Sequence, residues 1–335
     1  MNKYKILLIF TLLSLTGYSV NAQGRFFRLK TEGFLTVGAQ VGTINYFGDM
    51  NPLSQYVAPE WRFLRPSISV NVQRKLGKNF HVRLEFTYGR LLGNDFVSAS
   101  PNNERHRYRF LRNNHFRNDI KELSLVGTYD ILGSGGRYYR RVPFTPYVLA
   151  GIAVFHHNPK AKTPEEFGGK WVALQPLGTE GQQSGVEGYA KPYSRIQPAA
   201  IFGVGVKWKL TDRVNFGFEL ALRYLFFDYL DDVSDRYADP GDLQSDLVRA
   251  LANRTLEGSD AATGRTREPD LTRLTEQVSP RITFTGSDGN TYETIAGYGA
   301  RGDKRGEKGN NDVFITAGFR LSYIINVGLK CPTFR

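Results

Sequence analysis

The sequence predicts an all-β protein: an eight-stranded antiparallel up-and-down transmembrane β-barrel with long extracellular loops. Three observations carry that expectation. Eight segments alternate apolar and polar residues at the two-residue period of a strand. Their connections alternate strictly between short (75–79, 134–143, 211–213) and long (48–65, 93–118, 158–193, 231–310), and both chain ends fall on the short side. An even number of strands with short turns at one end and long loops at the other is how bacterial outer-membrane barrels are built.

Taken in order, residues 1–22 read as a secretory signal. Lys3 and Lys5 supply its positive end, residues 6–15 its apolar stretch and Val20-Asn21-Ala22 a small-residue cleavage site. Residues 23–335 then form a single barrel domain. In the first strand Leu35, Val37, Ala39 and Val41 alternate with Thr36, Gly38, Gln40 and Gly42; in the second Ile68, Val70 and Val72 alternate with Ser69, Asn71 and Gln73. The third sets Phe80, Val82, Leu84, Phe86 and Tyr88 outward against His81, Arg83, Glu85 and Thr87. The fourth sets Leu123, Leu125, Tyr129 and Ile131 against Glu122, Ser124, Thr128 and Asp130. The fifth (147–155) and sixth (199–208) are apolar on both faces, a pattern shared with a buried helix; Gly151, Gly203, Gly205 and the β-branched residues favour strands. In the seventh, Val214 to Phe226 alternate with Asn215, Gly217, Glu219, Ala221 and Arg223, and in the eighth Val313 to Ile325 alternate with Thr316, Gly318, Arg320 and Ser322.

The inward-facing positions collect Arg83, Glu85, Glu122, Asp130, Glu219, Arg223 and Arg320. An eight-stranded barrel leaves room only for side chains to fill, and unpaired buried charge is costly. These residues are therefore expected to pair as a lumen network and seal the barrel. A carboxylate such as Glu85 or Glu219 could act as a general acid or base, but ion-pair networks are the usual occupants of such interiors. No catalytic residue, cofactor or metal ligand is assigned.

Composition agrees. No stretch of 18 apolar residues exists for a helical span, and a single cysteine, Cys331, excludes an internal disulfide. The net charge of +12 falls to +10 once Lys3 and Lys5 leave. A signal peptide directs the chain away from the cytoplasm, so nucleic acid is not an expected partner. Outer-membrane lipid, lipopolysaccharide and acidic proteins suit the charge better.

The loops hold the remaining candidates. Arg105, Arg107, Arg109, Arg112 and Arg117, interleaved with Tyr108, Phe110 and Phe116, could grip lipopolysaccharide phosphates in bidentate fashion; otherwise they form a solvated loop. On the short side Arg137, Tyr138, Tyr139, Arg140 and Arg141 suit lipid contact at the periplasmic interface or docking of a periplasmic partner. His156-His157 lacks a nearby Ser in sequence, so the Ser–His pair of a lipid hydrolase is not evident. The acidic run Asp228, Asp231, Asp232, Asp235 and Asp239 lacks the spacing of a calcium loop. It reads as solvated, or as partner to the arginines opposite. Residues 240–254, with Leu243, Leu247 and Leu251 on one helical face, predict a short helix over the barrel mouth. Residues 263–307 are polar, Gly-rich and charged, a composition that reads as poorly ordered or ordered by a partner.

Finally, Phe144-Thr145-Pro146-Tyr147, Leu174-Gln175-Pro176-Leu177-Gly178-Thr179-Glu180-Gly181-Gln182, Lys191-Pro192-Tyr193-Ser194 and Phe227-Asp228-Tyr229-Leu230-Asp231-Asp232-Val233-Ser234 occur in that order. On these motifs the chain resembles the outer-membrane β-barrel family that includes the PorG component of type IX secretion. The resemblance implies a small barrel associated with the secretion machinery, in contact with a periplasmic ring built from a lipoprotein and a partner subunit; the barrel itself is expected to be monomeric. It brings no catalytic residues. Docking through 137–141, and through the tails 23–33 and 328–335, is the corresponding expectation, and a general envelope barrel is its rival.

Overall fold

The computed structural model describes residues 33–51, 61–133, 138–309 and 311–325. The signal segment, Arg137, Cys331 and most of the two tails lie outside the described residues. In chain order the strands are β1 (Leu35–Phe47), β2 (Arg65–Lys75), β3 (Phe80–Asn94), β4 (His115–Asp130), β5 (Phe144–His156), β6 (Pro159–Lys162), β7 (Trp171–Ala173), β8 (Ile196–Lys209), β9 (Val214–Leu225), β10 (Arg281–Thr285), β11 (Thr291–Ile295) and β12 (Val313–Ile325). The helices are α1 (Asp95–Ser98), α2 (Glu104–Arg112), α3 (Asp246–Ala252) and α4 (Glu268–Gln277).

Eight strands close a ring in the order β1-β2-β3-β4-β5-β8-β9-β12, all antiparallel, and β12 returns to β1 from Leu35↔Ile325 to Phe47↔Val313. Closure leaves no free edge in the ring, the requirement for a sheet that crosses lipid. Short turns join β2 to β3, β4 to β5 and β8 to β9, while long connections leave the other end. The fold class read from the sequence is the one observed, including β5 and β8.

Alternation sorts each strand by face. Val41, Ile68, Val70, Leu84, Phe86, Leu123, Leu125, Ile152, Phe202, Leu220, Phe319 and Leu321 are exposed on the outside. Such a contiguous apolar belt is tolerable only against lipid. Aromatic rings mark its periplasmic border: Phe144 meets Trp208 at 5.8 Å, Trp208 meets Phe216 at 6.0 Å and Phe216 stacks on Phe319 at 5.6 Å. Tyr88, Tyr224 and Phe226 stand exposed near the other border.

The interior is layered. Charged side chains fill its middle, and an apolar layer closes its extracellular end, where Ile44, Leu91, Phe116, Ile120, Leu149, Phe155, Ile201 and Phe314 pack with Leu230 and Val233 from the last long loop. That layer explains why the upper parts of β5 and β8 are apolar on both faces: Ala153 and Phe155 of β5 and Ala199 and Ile201 of β8 belong to it.

Above the barrel the long loops form an ordered head. β6 extends the β4 edge through Arg117↔Lys160 and pairs with β7, and β10 and β11 form a separate hairpin. The expectation that residues 263–307 would be poorly ordered is overturned. In α4, Leu271 and Leu274 bury one turn apart against Phe110 and Leu111 of α2, and Arg267 donates to the carbonyls of Phe110 (2.5 Å) and Leu111 (3.2 Å). Composition could not reveal order whose apolar partners come from another loop. The helix read over 240–254 is also shorter, because Ser245 caps it through the Val248 N–H at 3.4 Å. A 3-10 turn, Pro240–Asp242, precedes it.

Candidate functional site

The lumen residues converge on Glu219. Arg83 grips that carboxylate in bidentate fashion at 2.7 and 2.8 Å, and Arg320 reaches it at 3.1 Å. The Tyr147 hydroxyl donates to it at 2.7 Å. Gly205, paired with Tyr147 across β5 and β8, positions that hydroxyl: the tyrosine ring occupies the space that a β-carbon would need. Glu85 lies 3.4 Å from Arg83 and 2.7 Å from Arg320. One level up, Arg223 binds Glu122 at 3.3 and 3.1 Å. Three guanidiniums therefore meet three carboxylates, and the network is neutral. All six residues are buried.

Below it, Asp130 accepts from Lys207 at 2.5 Å and meets His81 Nε2 at 2.9 Å. The space left there is a cavity of about 40 Å³. That volume suits a few waters and is far below what a permeating solute requires.

Four carboxylates cap the apolar layer. Asp49 follows β1, Asp312 precedes β12, and Asp228 and Asp231 follow β9, three neighbouring strands in the ring. All are nearly or fully buried. Asp231 accepts from the Tyr46 hydroxyl and from Val233 N–H at 2.9 Å; Asp312 accepts from Leu230 N–H at 2.9 Å; Asp228 accepts from Ser234 Oγ at 2.9 Å, leaving its second oxygen without a partner. Burial, reinforced by the neighbouring carboxylates, pushes Asp228 up to about 9 and Asp231 up to about 8. Burial also raises Asp49 to about 6, although the Arg112 guanidinium pulls it back, and it raises Asp312 well above the carboxylate range. Of the acidic run, Asp228, Asp231, Asp232 and Asp239 are buried and only Asp235 stays partly exposed, which corrects the solvated reading. Asp232 is likewise enclosed, accepting from Thr179 Oγ1 at 2.5 Å and Tyr193 Oη at 2.7 Å. Among the described residues, no group of three or more His, Cys, Asp or Glu side chains is arranged to hold a metal ion.

The outer-loop arginines divide. Arg112 is buried and bidentate to Asp95 at 2.7 and 2.8 Å, and it donates to the carbonyls of Arg305 (2.5 Å) and Asp49 (3.0 Å). Arg109 is buried beside the Tyr108 ring. Neither can touch an external anion, because the last turn of α2 runs into the head and buries four consecutive residues, Arg109, Phe110, Leu111 and Arg112. Arg105 stays exposed and Arg107 partly so. Arg117 sits on β4 with its guanidinium 4.2 Å from the Trp171 ring. Sequence reasoning missed the other arginines that pin the head together, Arg254, Arg267 and Arg305. Arg305 bridges Glu180 at 2.8 Å and the Asp232 carbonyl at 2.7 Å.

On the short side Tyr138–Arg140 forms a 3-10 turn in which Tyr138 and Tyr139 pack edge to face at 5.5 Å. Arg141 is turned inward. It donates to the Tyr138 carbonyl at 2.6 Å, to Thr211 and Asp212 carbonyls at 3.0 and 2.8 Å, and to Asn215 Oδ1. It ties two periplasmic turns together, while Tyr139 remains exposed. Of the histidine pair, His157 is buried and its Nε2 faces the Ser194 carbonyl at 3.1 Å. The Ser194 hydroxyl turns away to the Ile196 carbonyl at 3.0 Å. Among the described residues neither histidine meets a serine hydroxyl.

A family described as Domain of unknown function (DUF6089) matches residues 26–165, less than half of the chain. No curated protein matches. Among solved structures, the outer membrane protein OprG from Pseudomonas aeruginosa is similar at 8% identity and a TM-score of 0.36, covering 87% of this chain and 96% of that one. A major outer membrane protein from Thermus thermophilus shows 11% identity and a TM-score of 0.35, with 88% and 99% covered. The N-terminal β-barrel domain of Pseudomonas aeruginosa OprF shows 11% identity and a TM-score of 0.31, with 88% and 99% covered. The class of this protein, a closed eight-stranded transmembrane β-barrel, rests on its own strand register and its exposed apolar belt.

Proposed function

We propose that the chain is a non-conducting scaffold of the outer membrane and a structural or accessory component of the type IX protein secretion machinery. The scaffold reading rests on one observation: the lumen is filled by a neutral ion-pair network beneath an apolar cap. The assignment to secretion rests on the resemblance carried by the motifs from Phe144 to Ser234. In this reading the barrel is monomeric, performs no catalysis and needs no cofactor. A periplasmic lipoprotein and its partner subunit would meet the short turns around Arg137, Tyr138, Tyr139 and Arg140, with Arg141 holding the turn in shape. The rival reading, lipopolysaccharide held by the outer-loop arginines, retains only Arg105, Arg107 and Arg117.

Two measurements test the two halves. Purified barrel in a planar bilayer should show no stepwise conductance; reproducible open-channel current would overturn the scaffold reading. Deleting the gene should abolish secretion of type IX cargo while leaving other outer-membrane proteins in place. Unchanged cargo secretion would remove the secretion role and leave the scaffold standing.

A further inference from the structure

The lipid-facing surface of β3, β4 and β5 changes character at the top of its apolar belt. Tyr88, Leu123 and Val154 are exposed there, and the next outward positions on the three strands are Arg90, Lys121 and His156. Antiparallel partners share a face, so the register places Lys121 beside both Tyr88 and His156, and Arg117 beside Lys160 of β6. Arg195, at the entry to β8, is exposed, and it and Lys121 are the charged neighbours of His156. Arg90, Arg117, Lys121, Lys160 and Arg195 thus form a ledge around one side of the barrel.

The ledge is poorly neutralised. Asp119 binds Arg90 at 2.5 and 3.1 Å. No carboxylate among the described residues pairs with Arg117, Lys121, Lys160 or Arg195. At the matching level on the other side of the ring, Tyr224 of β9, Ile315 of β12 and Phe47 of β1 carry no charge. From Lys121 to Arg117 the strand advances four residues, about 13 Å along its own axis, so the cations are spread upward from the edge of the belt. Arg117 lies on the Trp171 ring, a cation–π contact that fixes its guanidinium above Lys121.

We infer that this ledge binds the phosphates of an outer-leaflet glycolipid, the lipid A part of lipopolysaccharide. Charge complementarity and continuity with the lipid belt select that occupant: the cations stand where headgroup phosphates meet the barrel wall, and Arg117 offers a planar fork for one of them. The inference depends on the transmembrane placement and is independent of the secretion role.

The test uses the full mature chain in detergent micelles, titrated with purified lipid A and read by native mass spectrometry. A variant carrying Arg117→Gln, Lys121→Gln, Lys160→Gln and Arg195→Gln should bind at least tenfold more weakly than wild type. A control carrying Arg105→Gln and Arg107→Gln should bind as wild type does. Wild-type binding should weaken with added salt and with enzymatically dephosphorylated lipid A. Equal binding by the ledge variant, or by dephosphorylated lipid A, would overturn the inference. Phosphatidylglycerol binding as tightly as lipid A would overturn the glycolipid assignment. Should the fourfold variant fail to fold, Lys121→Gln and Arg195→Gln read singly in the same titration decide the matter, each expected to weaken binding measurably.

Discussion

Replacing Glu219 with alanine should destabilise the barrel by about 3–5 kcal/mol, the cost of stranding a buried charge by removing its partner. Glu219 is the hub of the lumen: it accepts two bonds from Arg83, one from Arg320 and one from Tyr147. Without it, Glu85 alone faces both guanidiniums, at 3.4 and 2.7 Å, and the buried lumen gains a net positive charge. Glu219→Gln keeps the shape and an acceptor oxygen, so it should cost less than Glu219→Ala. Replacing the pair together, Glu219→Leu with Arg83→Met, should cost less than removing Glu219 alone, because the double change leaves no charge orphaned by the first. Urea titration of the folded barrel in micelles, followed by the mobility difference between folded and heated samples, measures all three. A cost below about 1 kcal/mol for Glu219→Ala would show that the network neither seals nor stabilises the lumen.

The lumen was legible in the sequence because strand alternation is a local signal. Arg83, Glu85, Glu122, Glu219, Arg223 and Arg320 could be assigned inward one strand at a time, and closure then forced them together. Tyr147 was not legible as part of that site, since β5 is apolar on both faces and its inner side serves two layers at once. The head was hidden for a different reason. Its ties run between loops far apart in the chain, from Arg112 to the Arg305 and Asp49 carbonyls and from Arg305 to Glu180, and no periodicity reports such contacts. Arg109 and Arg112 looked like surface cations because charge and exposure usually coincide; the inward course of α2 separates them. The acidic cap was half visible. An aspartate lies within a few residues of the outer end of β1, β9 and β12, and only the ring order shows that those ends are adjacent.

That cap should make the extracellular end of the barrel less stable as pH rises. Asp228, pushed up to about 9, and Asp231, pushed up to about 8, hold protons in the folded state that the unfolded chain releases near pH 4. Asp49 at about 6 adds to the effect over a narrower range. Between those limits the unfolded state binds fewer protons than the folded one, so stability falls with increasing pH from about 4 towards 9 and is not affected below the unfolded value. Asp228→Asn removes one such group. The cost of the change is small, since one carboxylate oxygen has no partner and the other accepts only from Ser234. The variant should therefore be more stable than wild type at pH 8, and its advantage should grow by at least about 1.4 kcal/mol between pH 5 and pH 8, the worth of one pKa unit. Reading the difference between variant and wild type cancels the titration of groups elsewhere, and backbone hydrogen exchange across residues 227–234 places the effect at the cap. An advantage that stays the same at pH 5 and pH 8 would mean that Asp228 is already ionised in the folded protein, with the buried carboxylates of the cap neutralised by some group other than the proton.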